Sequence, residues 1–306
     1  MHNTKKIVKL VFVFISMLSS SQRLMDGRLL ASQFRAHLVP QIDQFNTRHG
    51  PLCLAVILVG HNPASQVYVE NKKIFCAEVG IQSRIHHFPK DACQEDILDC
   101  VLKLNESSDV HGILLQLPLP DHLDAQKILE AINPLKDVDG LTPYNMGRLL
   151  MGNPMLIPCT PNGCLQLIQW VCPNLSGKKV TVVGRSNLVG KPLAALLTNH
   201  NATVTLAHSH TENLMAVCHA DILVCAIGVP KKITKDYVQP NAIVIDVGIN
   251  RVQYGEESLM GDVDFDSVVE KVAHITPVPG GVGPMTIANL LANTLKAGQL
   301  QNSDSH

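Results

Sequence analysis

The chain has 306 residues, 46% hydrophobic and 17% charged, with 25 basic and 26 acidic side chains. Those proportions exclude intrinsic disorder. A formal charge of −1 gives no global field to attract nucleic acid or an anionic membrane, so any anion must be held by a local site. Aromatic residues are only 4%, with Trp170 the one tryptophan, so stacking platforms for bases are scarce.

Lys5 and Lys6 precede an apolar run from Ile7 to Leu18, followed by three serines. The run is too short to span a bilayer, which takes about 20 residues. Its basic start, apolar middle and small-residue end resemble a secretory signal. The alternatives are a first strand, or a true start at Met17 or Met25. These alternatives and a cytoplasmic location are favoured over a signal, because free cysteines and the cofactor chemistry below suit the cytosol. Residues 1–23 are therefore read as an extension, and a chain beginning at Met17 is expected to keep its fold and activity.

Leu29 to Phe45 carries a helical stripe at Leu30, Phe34, Leu38 and Ile42. Leu52 to Val59 is a continuous apolar run, the mark of a buried parallel strand. Ala64 to Val79 reads as a helix, Ile81 to Phe88 as a strand, and Asp91 to Asn105 as a helix capped by Asp91 with Gln94 three residues on. His111 to Leu117 is a strand ended by Pro118 and Pro120, and a helix follows from Asp124 to Ile132. Thr160-Pro161 reads as a cap opening a helix through Trp170. Four strands come next: Val180 to Gly184, Thr203 to Ala207, Ile222 to Gly228 and Ala242 to Gly248. Helices near Lys191 to Asn199 and Thr211 to Ala220 separate them. A last strand, Ile275 to Val278, leads to a final helix from Met285 to Ala297, stopped by Gly298. No internal repeat is visible. Alternating strands and helices predict an α/β protein with parallel sheets.

Nine cysteines, an odd number with no CxxC pair, read as small buried hydrophobes. His86-His87 and His208-x-His210 lack partners at metal-motif spacing, so no metal is expected.

Three stretches carry candidate chemistry. Gly184-Arg-Ser-Asn-Leu-Val-Gly190 follows an apolar strand and opens a helix. Gly184 permits the turn, Gly190 permits close helix–strand packing, and Ser186 stands where dinucleotide folds usually have a second glycine. The next strand ends at His208-Ser209-His210 with no acid to bind a ribose 2′-hydroxyl. Arg185 and a hydroxyl in its place suit a 2′-phosphate, hence NADP. Tyr68 and Lys72, at i and i+4, share a helix face. A phenol beside an amine can relay or depress its proton, as a general base near neutral pH requires. A tyrosine stem packed on a lysine stem is the plainer alternative. Gln116 stands at the carboxyl end of a buried strand, a place better suited to a site than to a core. Asp137 and Asp139 point the same way if extended, or Asp139-Gly140 simply makes a turn.

Tyr68-x-x-x-Lys72, Gln116-Leu-Pro-Leu-Pro120, Lys136-Asp-Val-Asp-Gly140, Pro158-Cys-Thr-Pro161, Gly184-Arg-Ser, Asp246-Val-Gly-Ile-Asn250 and Pro279-Gly-Gly-Val-Gly-Pro-Met-Thr286 occur in order. Together they resemble the bifunctional methylenetetrahydrofolate dehydrogenase/methenyltetrahydrofolate cyclohydrolase family in its bacterial form, from about Leu24 to Lys296. The resemblance implies two domains: a folate-binding α/β catalytic domain (24–158 plus 280–298) and a Rossmann-like doubly wound NADP-binding domain (159–279). It implies oxidation of 5,10-methylenetetrahydrofolate to the methenyl cation with NADP, then hydrolysis to 10-formyltetrahydrofolate, within one-carbon metabolism and purine biosynthesis. Lys72 would be the key catalytic residue, supported by Tyr68 and Gln116, with Asp139 holding the pterin nitrogens. Leu117, Pro118, Pro279, Gly280, Gly281, Val282 and Gly283 would contact folate. Gly184, Arg185, Ser186, Ser209 and Ile249 would contact NADP. A cleft between two domains would align the reacting carbons. No metal is implied, and two copies would pair through the nucleotide domain. The rival readings are a dehydrogenase without the hydrolase and a dinucleotide-binding protein without catalysis. Intact Tyr68, Lys72, Gln116 and Asp139 speak against the first, and the presence of Lys72 speaks against the second.

Overall fold

A computed structural model describes residues 23–254 and 256–303, so the signal-like stretch and the start at Met17 lie outside the described residues. Within them, α1 (Gly27–His49) leads to β1 (Cys53–Val59), α2 (Pro63–Val79), β2 (Gln82–Phe88), α3 (Gln94–Glu106), β3 (Gly112–Leu115), α4 (Ala125–Ala131) and α5 (Pro143–Leu150). Next come α6 (Cys159–Val171), β4 (Lys179–Val183), α7 (Gly190–Asn199), β5 (Thr203–Ala207), α8 (Leu214–Cys218) and β6 (Ile222–Cys225). The chain ends with β7 (Ile243–Asp246), β8 (Asn250–Tyr254), β9 (Glu256–Met260), α9 (Phe265–Val268), β10 (His274–Ile275) and α10 (Val282–Ser303).

Two units divide the chain. One holds Leu29–Gly163 and the described residues from Met285 on; the other holds the described residues of Cys164–Pro284 and those up to Arg28. In the first unit the strand order is β2-β1-β3, all parallel. Every residue of β1 is buried, and alternation sends successive side chains to opposite faces. Leu54, Val56 and Leu58 pack with Leu38, Ile42 and Phe45 of α1 and with Leu290, Leu291 and Leu295 of α10. Cys53, Ala55, Ile57 and Val59 pack with Ile97 and Val101 of α3 and Ile128 of α4. A strand that is apolar throughout is thus covered by helices on both sides, and its carboxyl end is left open for chemistry. The second unit has a five-stranded parallel sheet in the order β10-β7-β6-β4-β5, with β8 and β9 as an antiparallel hairpin. Met25 is buried here, and its N–H donates to the Ile275 carbonyl at 2.9 Å.

Several local expectations fail for identifiable reasons. Asp91 is not a cap. α3 starts three residues later behind Cys93, which makes no side-chain cap bond, and Gln94 Oε1 accepts from the Asp124 N–H at 2.8 Å. Thr160 is not a cap either: it lies inside α6, and its hydroxyl meets the Thr286 hydroxyl at 3.1 Å. The Thr-Pro signature instead operates at Thr142-Pro143, where Thr142 Oγ1 accepts from the Asn145 N–H and opens α5, a helix the sequence reading did not contain. The final helix starts at Val282 and runs through Gly298. A Cβ on Gly298 would lie 2.7 Å from Leu52 Cδ1 and 2.8 Å from Phe45 Cζ. That glycine serves close packing and does not end the helix. The β8–β9 hairpin also escaped the sequence reading.

All nine cysteines are free thiols, six of them buried, Cys93 exposed. Among the described residues no group of three or more His, Cys, Asp or Glu side chains could hold a metal ion. Among the same residues no helix is long and apolar enough to cross a membrane.

Candidate active site

α2 presents Tyr68 and Lys72 one turn apart, both half-buried. β3 ends at Leu115, and the parallel pairing with β1 continues for one more bond, Gln116 N–H to the Ile57 carbonyl at 2.9 Å. That bond holds Gln116, 8% exposed, at the carboxyl end of the sheet. Lys72 Nζ donates to Gln116 Oε1 at 2.8 Å. Gln116 Nε2 in turn donates to the Leu117 carbonyl at 2.6 Å. The second bond fixes which end of the amide faces the amine, since only the oxygen can accept. Pro118 follows directly and lines a pocket of about 360 Å³ with Gly60, His61, Lys90, Leu119 and Pro120.

The two aspartates of the Lys136–Gly140 segment have separate fates. Asp137 is buried and saturated: its carboxylate accepts from the N–H groups of Leu141 (3.1 Å) and Thr142 (2.8 Å) and from Asn145 Nδ2 (2.8 Å). Gly140, at φ +69°, closes the turn with its N–H on the Asp137 carbonyl at 3.0 Å. Asp139 instead interacts electrostatically with Lys72. Burial pushes the Lys72 ammonium below its usual range, opposed by the Asp139 carboxylate and then by Cys159 and Cys76. Burial pushes Asp139 above its usual range, opposed first by Lys72. Desolvation drives both groups toward neutrality, and their attraction resists it. Cys159 Sγ packs against the same carboxylate, donates to the Val138 carbonyl at 3.2 Å, and is held well above the usual thiol range by burial.

In the other unit, β4 ends at Val183 opposite Ala207 of β5, which sets the loop of Arg185 and Ser186 beside the turn of Ser209. A Cβ on Gly184 (φ +123°) would lie 2.1 Å from the Ala226 carbonyl oxygen, and one on Gly190 would lie 1.8 Å from the Gly184 carbonyl oxygen. No side chain fits at either position, and the helix start lies hard against the strand end. Ser186 Oγ accepts from the Val189 N–H at 3.1 Å, while Arg185 to Leu188 stay exposed at the start of ten-residue α7. The exposed Arg185–Leu188 loop ahead of that helix, with a cation and a hydroxyl on neighbouring strand ends, fits a phosphorylated dinucleotide.

Two buried carboxylates hold the adjoining loops. Asp262 accepts from the N–H groups of Ile227 (2.7 Å), Gly228 (3.1 Å) and Val229 (3.0 Å) and from Asn250 Nδ2 (3.0 Å). Asp246 accepts from the N–H groups of Gly248 (3.0 Å), Asp262 (2.9 Å) and Val263 (2.9 Å). This clamp sets the 45%-exposed Ile249 between them in sequence. Asp262→Ala removes one acceptor from four donors and is expected to cost about 2–4 kcal/mol. The urea midpoint would show it, and an unchanged midpoint would contradict the clamp. Pro279 and Gly280 (φ +112°) precede α10, whose first turn contains Val282 and Gly283; those two are helical, not part of a loop.

Comparison with known proteins covers most of the chain. Residues 25–139 match the family described as tetrahydrofolate dehydrogenase/cyclohydrolase, catalytic domain, and residues 158–302 match its NAD(P)-binding domain. The bifunctional protein FolD of Agathobacter rectalis is 50% identical over 90% of this chain and 98% of its own length. The chain belongs to the tetrahydrofolate dehydrogenase/cyclohydrolase family. A bifunctional FolD enzyme from Campylobacter jejuni has the same fold, with TM-score 0.88 and 44% identity over 91% of this chain and 99% of its own. The FolD of Trypanosoma brucei, solved with NADP and an inhibitor, matches with TM-score 0.88 and 36% identity over 91% and 98%.

Within this family frame, Cys159 and Asn293 are neighbours of Asp139 that sequence reasoning passed over. In the sequence Cys159 has no signal that sets it apart from the other buried thiols. Asn293 had one available signal: an amide on the packed face of an otherwise apolar helix, 7% exposed.

Proposed function

We infer that this enzyme oxidises 5,10-methylenetetrahydrofolate to the 5,10-methenyl form with NADP and then hydrolyses that cation to 10-formyltetrahydrofolate. The observation that carries this reading is the Lys72 amine held by Gln116 Oε1 at 2.8 Å beside the Asp139 carboxylate. NADP, when bound, accepts the hydride. Oxidation therefore asks the chain for alignment more than for proton transfer. Hydrolysis asks for a base, because water must lose a proton as it attacks the cation. Burial moves Lys72 toward the neutral amine that can take it. Gln116 fixes the amine's direction, and Asp139 offsets the charge when Lys72 is protonated.

We assign Tyr68 to support of Lys72, and Leu117, Pro118 and Pro279 to Gly283 to folate contacts, on the family resemblance. Asp139 is assigned to the pterin nitrogens, as an acceptor matched to their donors. Gly184, Arg185, Ser186, Ser209 and Ile249 are assigned to NADP. Arg185→Ala should weaken NADP far more than NAD, by about 1.5–3 kcal/mol for one charged hydrogen bond. Equal losses for the two cofactors would remove Arg185 from the 2′-phosphate. A homodimer through the NADP-binding unit, a cytoplasmic location and supply of one-carbon units to purine biosynthesis complete the proposal. Light scattering reads the first: twice the chain mass supports pairing. The experiment for the reading as a whole is to supply methylenetetrahydrofolate with NADP and follow reduced cofactor and 10-formyl product together.

A further inference from the structure

The last helix contributes a side chain whose placement the reaction scheme has not used. Asn293 Nδ2 donates to the Val138 carbonyl at 2.8 Å and to the Ile157 carbonyl at 2.8 Å, and lies 3.6 Å from Cys159 Sγ. Val138 immediately precedes Asp139. Ile157 immediately precedes the Pro158-Cys159 segment that packs on the Asp139 carboxylate. The two backbones already run close: a Cβ on Gly140 would lie 2.7 Å from Pro158 N and 2.8 Å from Ile157 C. Their carbonyls both need a donor in a buried place, and a carbonyl pair without one costs free energy and drifts apart. One amide group spends both of its protons on that pair.

We propose that Asn293 is a positioning residue for folate binding: by tying the Val138 and Ile157 carbonyls together it sets where the Asp139 carboxylate stands relative to Lys72. The proposal rests on the assignment of Asp139 to folate. The hydrogen bonds of Asn293 go to backbone carbonyls and Cys159, so it acts through the backbone on each side of the site. Cys159 Sγ shares the Val138 carbonyl with it, which makes the thiol a second, weaker strut.

The test compares Asn293→Ala, Asn293→Ser and Asp139→Asn, singly and with Asn293→Ala combined with Asp139→Asn. KM for methylenetetrahydrofolate and for NADP is measured well below each variant's melting temperature. Asn293→Ala should raise the folate KM about tenfold and leave the NADP KM unchanged, the scale of one hydrogen bond to a charged group. Asn293→Ser keeps one donor and should give a rise of about threefold, half of that effect on a free-energy scale; it carries the test if the alanine variant does not fold. In the Asp139→Asn background the alanine change should add nothing further, the signature of two residues acting through one contact. A packing role alone would lower the melting temperature and leave both KM values in place. A folate KM within about twofold of the parent, or full additivity with Asp139→Asn, overturns the proposal. An Asp139→Asn enzyme with unchanged folate KM rejects the folate role of Asp139 first, and the positioning role with it.

Discussion

Lys72→Met is expected to lower cyclohydrolase turnover by at least about 10²-fold, the scale of general acid–base catalysis. Methionine keeps the stem length and removes only the amine. The dehydrogenase should retain more of its rate, because hydride transfer has less need of a base. The pH dependence has a definite sign. The neutral amine is the proton acceptor, so the parent cyclohydrolase rate should rise with pH through the lowered Lys72 pKa and level off above it. Asp139 pulls that pKa upward, so Asp139→Asn should move the rising limb to lower pH, whatever it does to folate binding. In Lys72→Met the limb should disappear. Parent-level cyclohydrolase turnover in a folded Lys72→Met enzyme at saturating substrate would leave Lys72 a packing residue.

Gly184→Ala is expected to reduce NADP affinity by more than about 10²-fold and to destabilise its unit by about 3–5 kcal/mol. Two separate effects combine there. The backbone stands at φ +123°, where side chains with a Cβ are strained, and the new methyl would lie 2.1 Å from the Ala226 carbonyl oxygen. Relief requires moving the β4 end or the loop after β6, and both flank the Arg185–Leu188 turn or its neighbours. Lys72, Gln116 and Asp139 belong to the other unit, so hydrolysis of supplied methenyltetrahydrofolate should persist. Parent-like NADP affinity in the alanine variant would show that the turn is not the pyrophosphate cradle.

The sequence made the central strands legible because burial on both sheet faces leaves one pattern, an apolar run without polar alternation. Cys53–Val59 is of that kind. The Tyr68/Lys72 pair was legible from helix spacing, and Gln116 from its place at a strand end. What closed the site was not local. Gln116 reaches Lys72 across 44 residues, and Asn293 reaches Val138 across 155. No periodicity encodes such partners. The two aspartates of the Lys136–Gly140 segment show the limit well. Spacing alone allowed either a paired site or a turn. The structure gives one to each: Asp137 accepts the turn's N–H groups while Asp139 interacts electrostatically with the lysine. Capping failed where one signature had two homes. Thr142-Pro143 and Thr160-Pro161 look alike in sequence, but only the first has its hydroxyl free for the helix start. The hairpin β8–β9 was missed because Glu256, Glu257 and Ser258 give no strand signal.

The most direct measurement is a single progress curve. Purified enzyme receives methylenetetrahydrofolate and NADP, and reduced cofactor, methenyl cation and 10-formyltetrahydrofolate are followed together. A bifunctional site built around Lys72 predicts that the 10-formyl product appears with the reduced cofactor and that methenyl stays low. Lys72→Met should then convert the same curve into methenyl accumulation. Methenyl accumulating with the parent enzyme, at the rate of its spontaneous hydrolysis, would make this a dehydrogenase alone and contradict the assignment of Lys72 to the hydrolytic step.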